Sequence, residues 1–243
     1  QLKQDSDCNM ALQYANGKIV TSGLILALDA SDRNSYVSGS TTWTDVSGNG
    51  WGGSLIGSAS FTTGPNAFNT NCSTITDIGY LTPASQITFA DASSYTFDFW
   101  VKMRPSAQVT AHSLLGRGST NPWLPIYTGT TTGFNWYLRF RDSAAVYNNF
   151  STITDTNIQS WTNITMTADT SRNLSLYVNG VFRETIVVTT TLFYVSRIAG
   201  GYSSGGTQYN FQGSISSAKF YNRNLSATEI AQNYNAQKSR FGP

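Results

Sequence analysis

The chain has 243 residues, a formal net charge of +2, only 12% charged residues and 13% aromatic ones. So small and dispersed a charge offers no basic stripe for nucleic acid, no apolar run approaches the ~20 residues of a membrane-spanning helix, and two cysteines cannot make a disulfide scaffold. Abundant Ser, Thr, Gly and Asn beside β-branched and aromatic residues, with Glu184 and Glu229 as the only glutamates, suit an all-β protein with a full core rather than a disordered chain.

Residues 1–22 are polar and weakly patterned and read as an N-terminal arm or attachment segment; the domain proper is expected over 23–243. Met10 is a plausible internal start. Cys8 and Cys72 allow one disulfide pinning the arm or two unpaired thiols. The run Leu24-Ile25-Leu26-Ala27-Leu28 predicts a buried strand, followed by a polar loop with Asp29, Asp32 and Tyr36. The stretch WTDVSGNGWGG (43–53) is turn chemistry. Within it Asp45-x-Ser47-x-Asn49-Gly50 copies the first half of an oxygen-rich calcium loop, but Ile56 stands where a closing bidentate Glu belongs. Calcium held by Asp45 and Asn49 therefore competes with a plain turn in which Asp45 bonds its own backbone.

Strict alternation marks YTFDFWVKM (95–103), with Tyr95, Phe97, Phe99 and Val101 on one face and Thr96, Asp98, Trp100 and Lys102 on the other. AHSLLGRG, around the single His112, reads as a strand with a structural histidine. FNWYLRFR (134–141) sets Trp136, Leu138 and Phe140 opposite Asn135, Tyr137, Arg139 and Arg141. WTNITMTAD (161–169) and NLSLYVNG (173–180) follow; the Asn179-Gly180 pair is a strong hairpin signal, with VFRETIVV as the return strand. The last element is a helix, where Ser226 and Glu229 form a capping box and Leu225, Ile230 and Tyr234 an apolar side. Many short strands and one short C-terminal helix make a two-sheet antiparallel sandwich.

Three of these segments, in order, resemble the concanavalin A-like (laminin G-like) jelly-roll family: YTFDFWVKM, WTNITMTADTSRNLSLYVNGVFRET and FQGSISSAKFYNRNLSATEIAQNY. A narrower resemblance, carried by KIVTSGLILALDASDRNSYVSGSTTWTDVSGNG (18–50) and NYNAQKSRFG (233–242), is to virion proteins of tailed phages, cyanophages especially. That likeness implies a non-enzymatic structural part of a virion (capsid decoration, head fibre or tail fibre) whose partners are capsid or tail proteins and copies of itself. The other expectation is a secreted or cell-surface carbohydrate-binding module.

Catalysis finds little footing. Retaining glycosidases need two carboxylates about 5 Å apart, yet Glu184 and Glu229 lie far apart in sequence, and Asp29 and Asp32 fall on opposite faces of a strand. One His and two separated Cys cannot build a zinc site, and no Gly-x-Ser-x-Gly elbow occurs. For a surface glycan, rings stack on the sugar while amides and charged groups bond its hydroxyls; the candidates are Trp123 and Tyr127 in NPWLPIY and Tyr202, Gln208 and Tyr209 in GGYSSGGTQY. Five Asn-x-Ser/Thr sequons, at Asn71, Asn149, Asn163, Asn173 and Asn224, are what so Asn-, Ser- and Thr-rich a chain produces by chance and say nothing about glycosylation.

Overall fold

The computed structural model describes residues 13–14, 17–70, 79–104, 111–117, 122–128, 135–201 and 209–242. Cys8 and Cys72 lie outside these residues. Two eight-stranded sheets make the body. The first runs in the order Val181–Val187, Asn173–Val178, Thr162–Ala168, Tyr95–Met103, Gly213–Tyr221, Ala67–Asn69, Ser60–Thr62, with Leu24–Asp29 also paired to Gly213–Tyr221. The second runs Tyr147–Asn149, Trp136–Arg141, Trp123–Thr128, Ala111–Gly116, Arg197–Ile198, Gly79–Pro83, Gly53–Gly57, Thr42–Trp43. The strands of both sheets pair antiparallel, so the expected two-sheet sandwich is what the chain forms.

Alternation dictates the core. Phe97 stands opposite Met166 on one side and Phe220 on the other, and its ring meets that of Phe220 edge-on at 5.1 Å. From the second sheet Trp136, Leu138, Phe140 and Ile126 turn inward and are fully buried. Each such side chain withdrawn from water contributes roughly 1.5–3 kcal/mol. The hairpin at Asn179-Gly180 has positive φ at both residues (53° and 75°), the conformation a two-residue turn of matching twist requires and Gly tolerates.

The helix α1, Ala227–Gln237, starts where the sequence places it: the Ser226 side chain accepts from the Glu229 backbone N–H, and Glu229 returns the bond to the Ser226 N–H. Arg223 grips both Glu229 oxygens at 2.9 and 2.6 Å, and this pairing holds the Glu229 carboxyl down at about 2. A 3-10 turn, Lys238–Arg240, continues the chain.

Two features absent from the sequence reading follow from that helix. The polar face of Tyr95–Met103 is covered as far as Trp100 and opens to water at Lys102: Thr96 and Asp98 are fully buried and Trp100 is 3% exposed, because the C-terminal segment lies over them, with Tyr234 and Phe241 stacked on the Trp100 ring at 5.6 and 4.0 Å. The folded body does not begin at Gly23. Ile19 and Val20 are buried, Val20 N–H donates to Asn233 Oδ1 at 2.8 Å, and Tyr221 Oη donates to the Val20 carbonyl. Those two apolar residues dock on the helix, a long-range contact invisible in a polar opening segment; Gln13–Tyr14 and Gly17–Lys18 pair as a short ribbon beside them.

Candidate functional site

Among the described residues the second sheet carries no helix on its outer side, and the alternation of its strands fixes what stands there. Register places Gly116, Trp123, Arg141 and Tyr147 in one row across four neighbouring strands. Further along the same strands Ala111, Tyr127 and Tyr137 form a parallel row, and Arg139 lies opposite Asn149 between them. Because inward residues of Trp136–Arg141 are all core, Tyr137, Arg139 and Arg141 must face outward.

Cations and rings interleave on this surface. The Tyr127 and Tyr137 rings stack at 5.3 Å, nearly parallel. The Arg139 guanidinium sits 4.1 Å from the Tyr127 centroid, 4.7 Å from that of Tyr147 and 5.6 Å from that of Tyr137. It also donates to Tyr137 Oη at 3.1 Å and to Asn149 Oδ1. Each cation–ring contact of this kind is worth roughly 0.5–1 kcal/mol near a surface; together they hold long side chains in one arrangement. Burial pushes the Tyr127 phenol upward, partly offset by the nearby Arg139, so it stays a protonated donor. Tyr147 is 48% exposed, while Tyr127, Tyr137, Arg139 and Tyr209 are half-buried. The accessible part is thus ring carbon edged by hydroxyl and N–H groups.

Of the five residues proposed from sequence for a sugar, three come together here. Trp123 stacks on Tyr209 at 5.1 Å and leans on Tyr127 at 6.5 Å, although Tyr209 arrives from a segment 86 positions on. That approach is set by small residues: a Cβ on Gly116 would stand 2.7 Å from Gly201 Cα, and one on Gly201 2.5 Å from Ser113 Oγ. The Ser113 N–H donates to the Tyr209 carbonyl at 3.0 Å. Trp123 itself is only 1% exposed, so Tyr209 and not Trp123 offers a ring to a ligand on this flank. Tyr202 and Gln208 lie outside the described residues. Sequence reasoning passed over Tyr137, Arg139, Arg141 and Tyr147; the available signal was that the polar half of FNWYLRFR is Tyr and Arg rather than Ser, Thr or Lys.

The Asp45 turn is built differently from a metal site. Asp45 Oδ1 accepts from the Ala27 N–H at 2.8 Å and the Ser47 N–H at 2.9 Å, and Oδ2 from Ser47 Oγ at 2.8 Å and the Trp51 N–H at 3.1 Å. Asn49 turns its amide nitrogen, not its oxygen, toward the Ile25 carbonyl and Ser47 Oγ. Among the described residues no group of three or more His, Cys, Asp or Glu could hold a metal. The residues present therefore do not fit a calcium ion. Asp45→Ala, which strips a buried acceptor from four donors, should cost about 2 kcal/mol and lower the melting temperature by about 4–8 °C. Thermal melts should show the same drop in calcium and in chelator; a loss seen only with calcium present would restore the metal.

A second gathering of rings, Trp100, Trp161, Tyr234 and Phe241, lines an open recess of about 570 Å³ on the opposite sheet. Its central ring is already sandwiched by the C-terminal segment, so these rings hold the tail down. Glu184 is likewise engaged, accepting from the backbone and hydroxyl of Ser151, and sits on a strand, whereas Glu229 caps the helix.

A family model described as the concanavalin A-like lectin/glucanases superfamily matches residues 75–231, and the chain belongs to that superfamily. No curated protein matches the chain. Similar solved structures include the binding domain of botulinum neurotoxin DC in complex with rat synaptotagmin II, at 14% identity and a TM-score of 0.61 over 89% of this chain and 52% of that one. They also include a structure of botulinum neurotoxin type C, whose cell entry is described as dependent on two ganglioside molecules, at 14% identity and a TM-score of 0.60 over 89% and 51%. A third is the binding domain of Paraclostridial Mosquitocidal Protein 1, at 16% identity and a TM-score of 0.58 over 87% and 52%. The chain spans about half the length of these structures, and at such identities the likeness is one of fold.

Proposed function

We propose that this member of the concanavalin A-like superfamily is a carbohydrate-binding module that takes its ligand on the tyrosine–arginine face of the second sheet. The observation that carries the reading is the set of partly exposed rings, Tyr127, Tyr137, Tyr147 and Tyr209, spread across adjoining strands with Arg139 among them. A rigid apolar platform with a few fixed hydrogen-bond donors is what recognition of a sugar ring needs. The role is binding rather than hydrolysis: the strands of this sheet contain no Asp or Glu to act as nucleophile or acid.

Half of each similar toxin structure has this fold, and one is described with gangliosides, which favours a carbohydrate over a purely structural task. The similar structures named are toxin binding domains, not virion proteins, which favours the secreted or cell-surface module. Display in many copies, as on a virion, would only multiply weak contacts.

A glycan array probed with the purified domain tests the reading. Tyr127→Ala and Tyr137→Ala should each weaken the best glycan about tenfold, a loss of ~1.4 kcal/mol, while melting stays within a few degrees. An array without signal, or binding indifferent to both substitutions, would move the function to another surface or another ligand class.

A further inference from the structure

We infer that the saccharide bound on this face carries an acidic group, a carboxylate or a sulfate ester, received by Arg141 and Arg139. The inference rests on the carbohydrate-binding reading above and adds the ligand's charge to it.

Charge is distributed unevenly between the two sides of the sandwich. The eight strands of the second sheet contain three arginines, Arg139, Arg141 and Arg197, and no Asp, Glu or Lys. Arg172–Asp91, Arg183–Asp155, Lys219–Asp98, Arg223–Glu229 and Arg240–Asp29 form ion pairs, whereas neither Arg139 nor Arg141 is paired with a carboxylate among the described residues. Four arginines elsewhere in the protein are answered by carboxylates; Arg139 and Arg141 are answered by rings and neutral oxygens.

Arg141 shows the consequence most sharply. It is 4% exposed, its Nε reaches the Ala145 carbonyl at a long 3.4 Å, and its Nη1 is buried without an acceptor among the described residues. Its guanidinium lies 4.5 Å from the Tyr147 centroid, under the most exposed ring of the site. The neighbouring carboxylate does not serve it: Asp142 accepts from the Val146 N–H at 2.8 Å and from Asn148 Nδ2 at 3.4 Å. A buried cation with an unmet N–H is costly to leave so, and an anionic oxygen meets it with a short, charge-assisted bond. Arg139 uses Nε and Nη2 on Asn149 and Tyr137, and its face on the rings, which fixes a second positive charge beside the first. The pair is built to read a planar carboxylate or a sulfate on a sugar, with the rings taking the rest of the ligand.

The test uses a glycan array with matched neutral, sialylated and sulfated members, followed by calorimetric titration of the best acidic glycan and its neutral counterpart. The acidic member should bind at least tenfold tighter, and Arg141→Gln should bring that ratio close to one. Because Arg141 is buried, Arg139→Gln is the second variant, expected to reduce the ratio by several-fold in a protein that melts normally. The sialylated and sulfated arms tell which anion is preferred. Equal binding of neutral and acidic members overturns the inference and leaves the carbohydrate reading standing. No binding to any glycan overturns both. Binding to phosphatidylserine vesicles without binding to free acidic oligosaccharide overturns it in favour of a lipid surface.

Discussion

Replacing Lys219 with methionine is expected to lower the melting temperature by about 6–20 °C. The Lys219 ammonium lies 2.9 Å from Asp98 Oδ1 with both side chains essentially inaccessible to water. Asp98 also accepts from Thr165 Oγ1 at 3.2 Å and Asn163 Nδ2 at 3.4 Å, and Lys219 also donates to Ser217 Oγ at 3.3 Å. Removing the cation leaves a carboxylate buried without its counter-charge, a loss of about 3–5 kcal/mol; each kcal/mol shifts the midpoint of a domain this size by roughly 2–4 °C. The pair itself is not the source of that number. Burial of two charges costs nearly what their attraction returns, so Asp98→Leu combined with Lys219→Met should recover much of the loss. Thermal melts of the single and double variants decide it: a single variant that melts like the parent would mean that water reaches Asp98.

Ending the chain at Ala227 should abolish cooperative unfolding altogether. The truncation removes Ile230 and Ala236, uncovers Ile19, Val20 and Tyr221, and takes both stacking partners from Trp100. It also removes Arg240, whose two nitrogens hold the Asp29 carboxylate at 2.7 and 2.8 Å. With roughly 1.5–3 kcal/mol at stake per large apolar side chain, the sum reaches the whole ~5–15 kcal/mol by which a domain is stable. Loss of the near-ultraviolet circular dichroism signal with strand signal retained is the expected observation. A truncated chain that still melts sharply would show the helix to be an accessory. Ser226→Ala is the gentle counterpart and should cost about 1 kcal/mol, the worth of one cap.

The sandwich was legible because its information is local. The period-two pattern of YTFDFWVKM and FNWYLRFR sorts inward from outward residues one strand at a time, and Asn179-Gly180 and Ser226-x-x-Glu229 announce a turn and a cap within four residues. What escaped depends on partners far off in the chain. Nothing near Trp123 reveals that Tyr209 covers it, or that the outer side of Tyr95–Met103 is roofed by a helix more than a hundred residues later. Asp45 looked like an ion ligand because Asp-x-Ser-x-Asn-Gly supplies oxygens; its four donors, one of them the Ala27 N–H on the strand Leu24–Asp29, become apparent only in space. Arg141 is the reverse case: its neighbours in sequence are ordinary, and only the absence of acidic residues on the surrounding strands gives it meaning.

The docking of Ile19 and Val20 on the C-terminal helix has a practical corollary. Lys18 and Gln232 are joined by a hydrogen bond of 2.8 Å, so the early and late segments of the fold emerge together, on the side of the sandwich turned away from Tyr147 and Arg139. A tether, a fluorophore or a biosensor surface coupled through either flank would present the tyrosine face outward to the solution.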